Sequence, residues 1–171
     1  DYQRNRILAP YDPSIDPTNQ GINWQPHQAK IAIASGGLTG TGLGEGTQSQ
    51  SNAIPGKHTD FIFAVVGEEL GLIGACLVIL LLMIIVIRCV QIGLRSGNTM
   101  SMLVCFGVAS TVVFQTFENI GMCIGIAPVV GITLPFFSYG GSSLFSMFAA
   151  MGLVSGIKYR PKPTRAAIYG R

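Results

Sequence analysis

Between Leu70 and Ile157 only three of 88 side chains are charged: Arg88, Arg95 and Glu118. A water-soluble domain carries charge at about a quarter of its positions, so a stretch this long and this bare is built to lie against lipid. The whole chain is 49% hydrophobic and 11% charged, which excludes a disordered polymer. Four cysteines, Cys76, Cys89, Cys105 and Cys123, lie in or beside apolar runs. They read as small core residues rather than as the framework of a disulfide-stapled secreted domain. What remains is an all-α integral membrane protein with polytopic helices and one large polar segment at its N-terminal end.

Three stretches are long enough for a crossing of about 20 residues. The first is expected over 61–87, with Glu68 and Glu69 near the interface at its beginning. The second is expected over 98–122 and the third over 134–157, after a region interrupted by Pro128, Gly131, Pro135, Gly140 and Gly141. Arg88 and Arg95 flank the first connection, and Lys158, Arg160, Lys162, Arg165 and Arg171 follow the third span. The connection between the second and third spans has no basic group. The positive-inside rule therefore places the first connection and the 158–171 tail in the cytoplasm, and residues 1–60 outside it. A nucleic-acid partner is not expected, because the excess basic groups sit in a short tail and not over a folded surface. The chain opens with Asp1 rather than Met, and no signal-peptide pattern precedes the polar segment. It is therefore expected to be the C-terminal fragment of a longer membrane protein.

The outer segment has its own organisation. Asp12-Pro13 and Asp16-Pro17 favour turns. Asn23 is expected to cap a short helix from Trp24 to Ala34, with Pro26 tolerated in its first turn and Gly36-Gly37 ending it. GLTGTGLGEGTQSQSN then follows, with neither the Walker A nor the dinucleotide-binding glycine spacing. It reads either as a flexible loop or as a backbone lid whose N–H groups meet an anion.

His27 and His58 stand far from the cysteines, and no zinc spacing, nucleophile elbow or cysteine–histidine pairing appears. The remaining candidates lie at the outer membrane face. Asp60 is either an N-cap for the apolar run that begins at Phe61, or a carboxylate able to take a proton from a sugar hydroxyl. Lys57 and His58 beside it could bind phosphate or merely solvate the loop. On the second span, Gln115, Glu118, Asn119 and Met122 share one helical face. An ionisable group so near the hydrocarbon is a functional candidate, with interhelical glue as the alternative. PFFSYGGSS, 135–143, reads as a close helix-packing segment of small and hydroxyl residues.

HTDFIFAVVGEELGLIG (58–74), FENIGMCIGIAPVVGITLPFFSYGGSS (117–143) and DYQRNRILAPYDPSIDP (1–17) together resemble the SEDS family of bacterial shape, elongation, division and sporulation proteins. GTQ at 46–48, the DP-rich opening and FENIGM are nearer its rod-shape branch than its division branch. The resemblance implies a ten-span protein of the bacterial plasma membrane, of which this chain is the large fourth extracytoplasmic loop and the last three spans. It implies polymerisation of lipid II into glycan strands, with a class B penicillin-binding protein as partner alongside other elongation or division machinery. It also places Asp60 on the family's essential loop aspartate. Two departures from the family pattern occur: Gly56 replaces a customary Glu, and Pro26-His27-Gln28-Ala29 replaces a customary Gln-Ser segment.

The reaction implied joins an α-linked donor into a β-1,4 product, and such inversion needs one base and no covalent sugar intermediate. Asp60 would be that base. The same carboxylate could instead hold a divalent cation, magnesium or manganese, against the pyrophosphate. Arg4, Arg6, Lys30 and Lys57 are the cations available outside the membrane for the leaving group. Two other classes fit the same chain: a lipid II flippase working through the polar face around Glu118, and a scaffold that recruits the penicillin-binding protein.

Overall fold

From Leu77 to Ile87 every residue is aliphatic or Met, so nothing in the run competes with backbone hydrogen bonds and the segment is helical throughout. The computed structural model describes residues 2–12, 14–51 and 56–159. Pro13, Pro55 and the tail residues Arg160, Lys162, Arg165 and Arg171 lie outside the described residues. Among the described residues seven helices follow in order: α1 (Tyr2–Leu8), α2 (Trp24–Gly36), α3 (Thr47–Gln50), α4 (Ile62–Glu69), α5 (Gly71–Arg95), α6 (Thr99–Ile124) and α7 (Gly141–Tyr159). Among the described residues there is no strand.

By length and apolar composition, two helices can cross a bilayer: α5, of 25 residues, and α6, of 26. At 1.5 Å per residue each exceeds the roughly 30 Å of hydrocarbon. They form a hairpin through Ser96-Gly97-Asn98, and the Asn98 side chain caps α6 by accepting from Met100 N at 3.0 Å. Val78, Leu82, Cys89 and Gly93 form the buried stripe of α5, and Cys105, Ala109, Val112 and Asn119 that of α6. The three buried cysteines are reduced and act as small packing residues. Leu77, Leu80, Leu81, Ile84 and Ile87 point away from this seam.

The helix expected over 61–87 is in fact two helices, α4 and α5, broken at Leu70–Gly71 with Gly71 at φ 67°. A break exposes the last carbonyls of one helix and the first N–H groups of the next, and both need partners away from water. The glycine-rich segment supplies them. Thr41 N and Gly42 N donate to the carbonyls of Glu68 and Glu69, while Leu72 N and Ile73 N donate to the carbonyls of Gly37 and Leu38. The α5 helix also runs past Ile87 to Arg95. The third expected helix starts only at Gly141. Residues 127–140 are irregular, because Pro135 has no N–H, Phe136 sits at φ 65°, and Leu134 N donates to Ser138 Oγ and not to a helical carbonyl. At 19 residues, with Gly and Ser interrupting its apolar run, α7 is shorter and less apolar than α5 and α6.

The glycine-rich segment is anchored as well as anchoring. Glu68 is fully buried, and its carboxylate accepts from Gln48 N at 2.8 Å and Ser49 N at 2.7 Å. Thr47 Oγ1 donates to it at 3.3 Å. Two backbone N–H groups of the segment thus meet a carboxylate of the protein itself, which is neither the flexible loop nor the ligand-binding lid that the sequence suggests. Upstream, Asn23 does not cap α2. Its Nδ2 donates to Ala9 O at 3.1 Å, and its own N–H donates to Asp16 Oδ2 at 3.0 Å. Gly21 N donates to the same carboxylate oxygen at 2.9 Å. These bonds tie the end of α1 to the start of α2.

Two outcomes follow in the full-length protein. Glu68→Ala leaves the buried Ser49 N–H and the half-buried Gln48 N–H without an acceptor, at up to about 1–3 kcal/mol each, so it lowers the thermal unfolding midpoint and exposes residues 47–49 to hydrogen exchange. Glu68→Gln, which keeps one acceptor oxygen, recovers part of the loss. The N–H of Asn23, followed by that of Gly21, holds the Asp16 carboxyl below its ordinary value of 3.8 despite its burial. A lowered folded pKa gives stability that is complete above the ordinary value and is lost as pH falls through the folded one. Exchange at the Gly21 and Asn23 amides should accelerate only below about pH 4, and at all pH values in Asp16→Ala.

Candidate active site

Residues 58–60 form the last turn before α4, and every backbone carbonyl in that triplet is bonded from elsewhere. Tyr139 N donates to His58 O at 2.8 Å. Ser138 Oγ donates to Thr59 O at 2.6 Å. Asn119 Nδ2 donates to Asp60 O at 2.7 Å and also to Ile132 O at 2.8 Å. Ser138 in turn accepts from Leu134 N at 2.7 Å. Asn119 and Ser138 are both buried, where such bonds are shielded from competition by water. The α6 helix and the 134–139 turn thus grip the Asp60 backbone from two sides.

The Asp60 side chain is left out of this network. The N-cap of α4 is Phe61, with no side-chain cap bond, so Asp60 is not the helix cap that one reading of the sequence expected. Among the described residues no donor reaches its carboxylate. The half-buried side chain lies over Gly131, where an added methyl group would stand 3.3 Å from Oδ2. Gly131 therefore provides clearance as well as its φ of 77°.

The other expected site residues are spread around this point. His58 is exposed, and half-buried Lys57 donates through Nζ to Ser51 O at 3.1 Å. Arg4 and Arg6 are exposed on α1. Arg6 lines a cavity of about 350 Å³ with Gln20, Trp24 and Val129. Lys30 lines a second, of about 240 Å³, with Asp16, Asn23, His27 and Gly125. Tyr11 closes the N-terminal segment over the end of α6 by donating from its hydroxyl to Ile126 O at 2.6 Å. Asp60 lines neither cavity. Glu118 is half-buried, and its Oε2 is buried with no hydrogen-bond partner among the described residues, as is the neighbouring Asn119 Oδ1. The face shared by Gln115, Glu118, Asn119 and Met122 divides: Asn119 and Met122 enter the core, whereas Gln115 lines an open groove with Thr111, Phe114 and Ile132.

Among the described residues no three of His, Cys, Asp and Glu converge. A divalent cation at Asp60 would find no cluster of carboxylate, imidazole or thiolate ligands among these residues. Two participants escaped the sequence reading. Ser138 was read as a packing residue, although its hydroxyl is the hub of the turn. Phe136 holds a left-handed backbone unusual for a bulky residue, fixed by an edge-to-face contact with Phe148 at 5.5 Å between centroids. The proline preceding it was the available signal for irregular backbone.

Residues 1–162 match the family model described as cell cycle protein, FtsW/RodA/SpoVE. The peptidoglycan glycosyltransferase MrdB of Escherichia coli K12 is 45% identical over 157 residues, covering 92% of this chain and 42% of that protein. The probable peptidoglycan glycosyltransferase FtsW of Geobacter metallireducens is 42% identical over 164 residues, covering 96% and 43% respectively. A solved chain, from work on the structural coordination of polymerization and crosslinking by a peptidoglycan synthase complex, superposes with a TM-score of 0.68 at 32% identity. The superposition covers 94% of this chain and 43% of that one. The chain thus spans less than half the length of these relatives.

The carbonyl clamp makes its own forecast. Asn119→Ala leaves the carbonyls of Asp60 and Ile132 unpaired, at a cost of about 2–5 kcal/mol for the pair. In the full-length protein it should lower the thermal midpoint and raise hydrogen exchange around residues 58–62 above that of the α5–α6 hairpin. Unchanged exchange there would mean that the 58–60 turn holds its shape without α6.

Proposed function

The chain belongs to the FtsW/RodA/SpoVE family of cell cycle proteins, and on that premise we propose that it forms part of a membrane glycosyltransferase that polymerises lipid II into peptidoglycan. The observation that carries the reading is the contrast at Asp60: a backbone bonded at three successive carbonyls beside a carboxylate that accepts no bond from the described residues. A general base needs a fixed position and oxygens not already committed to other donors. In the proposed reaction the acceptor sugar's 4-hydroxyl gives its proton to Asp60 as its oxygen attacks the donor's anomeric carbon. The bond to undecaprenyl pyrophosphate breaks with inversion. Asn119 and Ser138 act as positioning residues through the backbone of the turn.

The leaving pyrophosphate needs cationic partners. Arg6 and Lys30 are candidates because each lines a cavity, whereas Lys57 is engaged with Ser51 O. Arg4, His58 and Glu118 are secondary candidates for substrate contact. Residues 1–60 face outward in this reading, α5, α6 and α7 cross the bacterial plasma membrane, and the tail is cytoplasmic, within the ten-span protein expected of the family. The partner is a class B penicillin-binding protein, which cross-links the strands, and the nearer branch is cell elongation. Support for a partnered enzyme comes from the solved relative, which is part of a peptidoglycan synthase complex.

The full-length protein, purified with its partner and supplied with fluorescent lipid II, should yield a ladder of glycan chains on a gel. Asp60→Asn should reduce the ladder by about a hundredfold or more while the partner still co-purifies. An undiminished ladder in that variant would remove Asp60 from the chemistry. A folded wild-type complex that moves lipid II across a bilayer without polymerising it would replace the enzyme reading with a transporter.

A further inference from the structure

At the end of the molecule opposite Asp60, a cavity of about 610 Å³ is lined by Arg88, Gln91, Ile92 and Arg95 of α5 and by Ile157 and Lys158 of α7. The four α5 residues share one face by their 3, 4 and 7 spacing, and α7 brings the third cation to them. All eight acids of the chain lie at positions 1–69 except Glu118. Glu118 is 19 residues along α6 from Thr99, or about 28 Å from this end. Three cations therefore converge on a cavity that no carboxylate side chain lines among the described residues. Their described contacts are weak: Arg88 Nη1 donates to Gln91 Oε1 at 3.5 Å, and Lys158 Nζ stands 5.3 Å from the Tyr159 ring centroid.

The same face of α5 continues into the apolar part of the helix. Leu77, Leu81 and Ile84 precede Arg88 by 11, 7 and 4 residues and are 55%, 45% and 46% exposed. A ligand that satisfies both halves carries an anionic head and hydrocarbon chains. We propose that this cavity binds the phosphodiester headgroup of an anionic phospholipid of the cytoplasmic leaflet, with its acyl chains along Leu77, Leu81 and Ile84. Basic clusters at the cytoplasmic ends of spanning helices gain roughly 1 kcal/mol per charge from anionic lipid, a factor of about five each. The inference rests on the membrane placement of α5 and α7, and not on the chemistry at Asp60.

The test uses the full-length protein in nanodiscs, with bound lipid counted by native mass spectrometry after mild delipidation. Phosphatidylglycerol should be retained over phosphatidylcholine, and the triple variant R88Q/R95Q/K158Q should lose that preference by roughly a hundredfold. R88K/R95K, which keeps the charge, should retain the preference and so separates loss of charge from loss of fold. Equal retention of both lipids by the wild type would overturn the proposal. So would a preference unchanged in the triple variant, or displacement of the lipid by millimolar inorganic phosphate, which would mark a site for a soluble anion. Glycan synthesis, measured on the same samples, reports on Asp60 separately.

Discussion

The structure turns on one buried amide. Asn119 Nδ2 spends both of its protons on carbonyls, those of Asp60 and Ile132, which joins the 58–60 turn, the α6 helix and the 127–140 segment at a single point. Both acceptors are oxygens, so the orientation of the amide is dictated by chemistry and its Oδ1 is left buried and unpaired among the described residues. An unpaired buried acceptor costs free energy. Ser138 and Tyr139 complete the grip, and Phe136 bends the turn that presents them.

A second buried polar group does comparable work on the other side of α4. Glu68 fixes α3 through its side chain and residue 41 through its carbonyl, so α4 is held at both ends: Asp60 by α6 and Glu68 by the glycine-rich segment. The broken span follows from this. The α4 helix turns Glu68 into the protein interior, and α5 carries the mostly exposed apolar run 77–87. The Leu70–Gly71 break separates those tasks, and the 37–42 segment satisfies the backbone groups that the break exposes.

Much of this was legible in the residues. The bare stretch after Leu70 announced apolar helices, Asn98 marked the start of α6, and Trp24 and Gly36 bounded α2 closely. Asp60 stood out as a carboxylate directly before an apolar run, a position that suits a helix cap or a base; Phe61 is the N-cap of α4, and the base role is the proposal. Other features were hidden because they depend on long-range partners. Glu68 and Glu69 looked like interface charges, since nothing local reveals that Gln48 and Ser49 fold back onto Glu68. Asn23 looked like a cap because capping is local, whereas its actual partners are Asp16 and Ala9. Ser138, 79 residues from Thr59, could not be paired with it from spacing alone.

The most direct measurement is a structure of the full-length protein with a lipid-linked disaccharide acceptor bound, at a resolution that places side-chain oxygens. The account predicts an Asp60 carboxylate oxygen about 2.6–3.2 Å from the acceptor's 4-hydroxyl, with Asn119 and Ser138 still bonded to the turn beneath it. A carboxylate turned away from the hydroxyl, or a sugar bound with the 58–60 carbonyls released from α6, would contradict it.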